Sequence, residues 1–115
     1  MSEPIPVQPR EIVDLVYRIV RVDGVDHGDA DVLARWVALE LIEGRNHLDA
    51  VLNDASELLD AARSAERREG VDPSRSPGYR VAARDGIPVV SARFAQLYQA
   101  SKAFLVAERT LDAAD

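Results

Sequence analysis

The chain has no cysteine, which removes disulfides, thiolate nucleophiles and cysteine-ligated metals from consideration. It has no apolar run long enough to cross a membrane. Its first residues, Met1-Ser2-Glu3-Pro4, lack the basic stretch and apolar run of a secretory leader, so a cytoplasmic protein is expected. An excess of basic residues is missing too: the formal net charge is -6, from 14 lysines and arginines against 20 acids. A field of that sign disfavours nonspecific attraction to nucleic acid or an anionic membrane. A phosphate-binding glycine loop, a dinucleotide fingerprint, a haem motif and a serine–histidine–acid order are all absent. No cofactor is expected on these grounds.

What is present suits one small domain. The 115 residues, 47% hydrophobic and 30% charged, can bury a core but not a large enclosed site as well. The charges are unevenly placed. Residues 23–60 hold ten acids and two bases, whereas residues 80–109 hold five bases and two acids. That polarity would guide self-association or docking. Pro4, Pro6 and Pro9 make residues 1–8 an extended lead-in to a domain spanning 9–112, with a short tail at 113–115.

Hydrophobic spacing predicts three helices in the first part of the chain. Helix one covers 9–22, with Pro9 in its first turn and a stripe of Ile12, Leu15, Val16 and Ile19 widened by Val13 and Val20. Helix two runs from about Asp29 to Glu43 over Ala30, Leu33, Ala34, Val37 and Leu41, and stops at Gly44. Helix three starts at Asn46, with Asp49 three residues on in the manner of a capping box, and fades near residues 67–70. Its inner face is Leu48, Val51, Leu52, Ala55, Leu58, Leu59 and Ala62.

After a Pro- and Gly-rich loop at 70–78, residues 79–90 read as a β-hairpin about an Asp85-Gly86 turn. That register pairs Arg84 with Ile87 and Ala83 with Pro88. It puts Tyr79, Val81, Ala83, Pro88 and Val90 on the core face and leaves the outer side of 79–84 free for another strand. A last helix begins at Ser91, with Phe94, Leu97, Tyr98, Ser101, Leu105 and Glu108 along one side and its inner stripe ending near Leu111. The predicted class is α+β, predominantly helical: three N-terminal helices, a β-hairpin and a C-terminal helix.

Candidate chemistry is sparse. The Asp23–Asp31 cluster has carboxylates and His27 but not the spacing of a calcium loop, so capping and loop roles are expected and no metal. His47, near the start of helix three, is the candidate general base if a pocket forms above the helix ends. Arg45 beside it would hold a small anion. Trp36, Tyr79 and Tyr98 are candidate ring walls for an apolar ligand, and Arg80 and Arg84, on one hairpin face, would grip a carboxylate or phosphate.

Residues 21–33, with Asp23-Gly24 between two helical stretches, resemble the helix–DG–helix element of the TerB-like tellurite-resistance family, which is all-helical. Glu40-Leu41-Ile42-Glu43-Gly44, followed by Asn46-His47-Leu48, resembles the helical N-terminal region of malate/lactate dehydrogenases outside the Rossmann class. There, Asn46-His47-Leu48 stands where those enzymes have serine–histidine–glycine. Neither function is carried to this chain.

Two functions follow as expectations. The first is a small non-enzymatic protein acting by association, as a homodimer or as an accessory subunit of another protein, through the free strand edge. The alternative is a small-molecule binder or enzyme with a pocket between helices two to four and the hairpin.

Overall fold

The structure, a computed structural model, describes the backbone of residues 3–114 and side chains as far as Phe104. Helices dominate, and two antiparallel strands complete an α+β fold. The elements are β1 (Pro4–Val7), α1 (Pro9–Val22), α2 (His27–Ile42), α3 (Leu48–Asp54), α4 (Ser56–Glu69), a 3-10 turn (Pro73–Arg75), α5 (Tyr79–Asp85), β2 (Ile87–Val90) and α6 (Ser91–Ala114).

The first two helices follow the hydrophobic pattern. Pro9 opens α1, where its missing N–H would have had no helical acceptor. Ile12, Leu15, Val16, Ile19 and Val20 are buried against Ala30, Leu33, Ala34 and Val37 of α2. The alanines let the two axes approach closely. Side chains buried as completely as Ile12, Leu33 and Leu97 contribute about 1.5–3 kcal/mol each. α6 lies along α1, with Leu97 and Ser101 buried at the contact. The expected continuation of its stripe at Leu105, Glu108 and Leu111 falls outside the described side chains.

The single helix expected over 46–67 is two helices. Asp54 breaks it: its Oδ1 accepts from the Ser56 N–H at 3.2 Å and from Ser56 Oγ at 2.5 Å, so the side chain competes with the helical ladder and starts α4 anew. Asn46 does help to begin α3, accepting from the Leu48 N–H at 2.9 Å, but His47 is the flanking residue. Asp49 is not part of a capping box; it forms an ion pair with Arg93 at the start of α6.

The hairpin is the main correction. Residues 79–85 form a helix, not a strand. The segment contains Ala82, Ala83 and two arginines, all good helix formers, and its bonds run Ala82 N–H to Gly78 O at 3.1 Å and Gly86 N–H to Ala82 O at 2.8 Å. Asp85-Gly86 is therefore a helix stop rather than a two-residue turn. Gly86 has φ +81°, and a Cβ there would stand 2.6 Å from Pro6 Cβ and 2.9 Å from Pro6 Cα, so no other residue fits.

β2 pairs with β1 from the far end of the chain, in the register Pro4↔Val90, Ile5↔Val89, Pro6↔Pro88 and Val7↔Ile87. The extended lead-in is thus half of the sheet. This pairing also reverses the predicted core face. Ile87 and Val89 point inward with Val7, while Pro88 and Val90 point out, and on α5 Ala82 is buried while Val81 is exposed.

The prolines dictate which backbone groups face which way. Pro6 and Pro88 stand opposite each other, and neither has an N–H to give. They must form a non-hydrogen-bonded pair, which puts the ladder bonds at Ile5/Val89 and Val7/Ile87. The Ser91 N–H to Glu3 O bond at 2.9 Å continues that alternation. The outward-facing groups are then those of Pro4 and Pro6 on one edge and Pro88 and Val90 on the other. The β1 edge offers a neighbour no N–H at all, and the β2 edge offers one. The free strand edge expected at 79–84 does not exist; the β1 edge is closed by proline, and the β2 edge keeps only the Val90 N–H as a donor.

Candidate functional site

Three of the sequence-derived candidates meet at the joint between α2 and α3. α2 ends in two bonds that turn the chain back on itself: the Gly44 N–H donates to Leu41 O at 3.1 Å, and the Arg45 N–H to Glu40 O at 2.8 Å. This closure needs a left-handed residue, supplied by Gly44 at φ +93°. It folds Arg45 over the last turn of the helix. There, Arg45 Nε donates to Glu40 Oε2 at 2.7 Å, and its other nitrogen reaches Glu43 Oε1 at 2.8 Å.

Glu40 is the residue that the sequence reading missed. Its second oxygen, Oε1, lies 3.1 Å from His47 Nε2, and its side chain is only 14% exposed. Trp36 stands one helical turn earlier on the same face and stacks on the His47 ring, with centroids 4.7 Å apart and planes within 18°. The hydrogen bond from Arg45 holds the Glu40 carboxyl below its ordinary range, and the His47 bond acts in the same direction against the cost of burial. The legible signal was spacing: Trp36 and Glu40 are four residues apart on α2, and two basic side chains follow the glycine stop.

The chemistry open to this cluster is limited by its own bonds. A carboxylate that orients an imidazole is half of a general-base arrangement. Here the bonded nitrogen is Nε2, one ring face is covered by Trp36, and neither of the two grooves beside the joint is lined by His47. The cluster ties the end of α2 to the start of α3.

The other candidates lie elsewhere. Tyr79, on α5, lines a groove with Pro9, Arg10, Val13 and Arg35. Arg80 and Arg84 do share a face, but by helical spacing, and Arg84 is held by its neighbour Asp85 through two bonds of 3.0 Å. That hydrogen bonding raises the Arg84 pKa further. Tyr98, on α6, is exposed, stacks beside Phe94 at 6.3 Å and carries the Lys102 ammonium 4.8 Å above its ring. These four do not converge with His47 on one pocket. The acids of residues 23–31 are also dispersed: Asp29 pairs with Arg63 and Asp31 with Arg35, while His27 Nδ1 lies 2.6 Å from the Tyr17 hydroxyl.

The feature that sequence reasoning placed on the wrong side is apolar surface. The ribbon's outer face presents Pro4, Pro6, Pro88 and Val90, all exposed. Beside it, Val81 on α5 is 55% exposed. An open groove of about 470 Å³ runs between them, walled by Leu41, Ile42, Val81, Ala82, Ile87 and Pro88. A second, of about 600 Å³, lies on the far side of Pro88 and is lined by Asp49, Val90, Arg93 and Gln96. Asn46 and Pro88 belong to both.

Among the described residues no helix is long and apolar enough to cross a membrane. Compared with protein families, curated proteins and solved structures, the chain finds no match.

Proposed function

We propose that this protein is non-enzymatic and works by association, as a homodimer or as an accessory subunit, through the outer face of the ribbon and the groove beside it. One observation carries the reading: Pro4, Pro6, Val81, Pro88 and Val90 are all exposed, and Val81 and Pro88 line the open groove between α5 and the ribbon. An exposed apolar face bordered by charged side chains is the mark of an interaction site. The mode differs from the one expected of a free strand. With no outward N–H on β1 and a single one on β2, a partner covers the face rather than adding a strand.

The small-molecule alternative needs a closed apolar cavity containing His47 and a second convergent polar group. His47 instead faces Trp36 and Glu40, and the neighbouring groove is open and lined mainly by aliphatic side chains. Light scattering combined with native mass measurement tests the association reading. It predicts a complex, with itself or with a recovered partner; a chain that is strictly monomeric and recovers no partner ends it.

A further inference from the structure

We infer that the groove where α1, α2, the 3-10 turn and α5 meet binds a small organic anion, with one acidic head on an apolar body. This groove shares no lining residue with the two beside Pro88. Its volume, about 310 Å³, is at the lower end of those that hold a small organic ligand.

The apolar part is built from short-range pattern. Pro9 and Val13 are four residues apart and share one side of α1. Pro73 joins them from the 3-10 turn, and Tyr79 from the start of α5. Asp72 fixes that turn: its Oδ1 accepts from the Ser74 N–H at 3.0 Å and from Ser74 Oγ at 2.8 Å. The charge comes from two arginines on different helices. Arg10 lies three residues before Val13, is exposed, and pairs with no acid among the described residues. Arg35, from α2, gives one terminal nitrogen to Asp31 at 2.7 Å, while its Nε is buried without a partner. Asp31 alone therefore leaves that guanidinium incompletely satisfied.

The lining holds two cations against the single anion Asp72, in a chain whose net charge is -6. The neighbouring groove along Leu39 reverses the balance, with Glu43, Glu69 and Asp72 against Arg75. An anion is drawn to the first groove and repelled by the second. Guanidinium groups suit a carboxylate or phosphate head, and proline, valine and tyrosine walls suit the apolar body attached to it.

The full chain is titrated with benzoate and followed by its amide chemical shifts. Benzamide serves as the neutral twin, and inorganic phosphate as a head without a body. Benzoate is expected to saturate at about millimolar concentration, with the largest shifts at Val13, Ser74 and Tyr79. Benzamide and phosphate should each bind at least about fivefold more weakly. Arg10→Gln should weaken benzoate about fivefold. Arg80→Gln, the same charge change at an exposed position outside the groove, should leave it unchanged. Helical circular dichroism serves as the folding check, because both arginines are exposed. Benzoate shifts that do not saturate, or that centre away from the groove, overturn the inference. Equal binding of benzamide overturns it by removing the anion, and equal binding of phosphate by removing the apolar body. A folded Arg10→Gln chain that binds benzoate as the wild type does overturns it too.

Discussion

At the α2–α3 joint, Glu40, Arg45 and His47 find their partners within the chain; at the ribbon and α5, Val81, Pro88 and Val90 are exposed. The first region is polar and closed by its own hydrogen bonds. The second is apolar and open. The two are adjacent, since Asn46 in the α2–α3 loop also lines both grooves beside Pro88. The contrast assigns different work to each. A polar cluster that satisfies itself holds a loop in place, because leaving any member unpaired would cost more than the pair gains. An apolar face left exposed gains only when something covers it. Histidine and arginine first drew attention as chemical groups, yet here they position the loop beside the surface that is open to a partner.

The sharpest way to break the contrast is at Gly86. Gly86→Ala adds a Cβ in contact with Pro6 and forces a side chain into a left-handed backbone. The expected loss is about 3 kcal/mol or more, read as a lower urea midpoint, together with detachment of β1 from β2. A midpoint within error of wild type would mean that the ribbon is not held at this crossing.

Next in size is Glu40→Ala. It strips Arg45 and His47 of a shared acceptor. Because Arg45 is 55% exposed while Glu40 is 14% exposed, the loss is discounted for solvent to about 1 kcal/mol. Self-association should be unchanged apart from that stability loss. If Glu40→Ala instead abolishes the proposed association while the fold persists, the closed region is part of the interface.

The same residue gives a pH signature. The Glu40 pKa is lowered by folding, chiefly through its hydrogen bond with Arg45, from an ordinary 4.5. Its contribution is therefore fully present above that ordinary value and is lost as pH falls through the lowered one. Asp29, lowered by its hydrogen bond to Arg63, and Asp72, lowered by Ser74, act in the same direction. Thermal melts should show stability falling as the solution is acidified below pH 4.5, with a shallower slope in Glu40→Gln. Identical slopes would remove Glu40 from the acid response.

The smallest effect in stability terms sharpens the open region. Pro88→Val restores an N–H on the outward side of β2 without touching the core. The folded state should be little changed, within about 0.5 kcal/mol, but the edge is now able to pair. Size-exclusion chromatography should show species larger than the wild-type chain gives, at elevated concentration, in the variant alone. If the variant behaves as wild type, proline is not what closes the edge.

How far the residues alone lead differs between these regions for a physical reason. Ile12, Leu15, Val16 and Ile19 recur with the helical period, and Pro9 and Gly44 mark the start of α1 and the end of α2, so those helices are legible from local rules. Residues 79–85 are too short for periodicity to separate strand from helix, and a following Asp-Gly invites a hairpin that the helix-forming alanines and arginines refuse. The break at Asp54 hinges on one carboxylate turning back to Ser56, a contact that spacing does not announce. His47 and Arg45 were visible as candidates, but Glu40 between them and Trp36 emerges only once the Gly44 closure brings the loop back over α2.

Composition and local pattern were enough to establish a helix-rich chain, its first two helices, the stop at Gly44 and its lack of cysteine chemistry, because these depend on neighbours within a turn or two. Which strand pairs with which, and hence which apolar residues are buried and which are left exposed, was settled by long-range packing. The N-terminal Pro4–Val7 segment had to return beside Ile87–Val90, and with the prolines in register it turned Pro88 and Val90 outward. A side chain's face is fixed by its distant partner, and that partner is not written in the residues next to it.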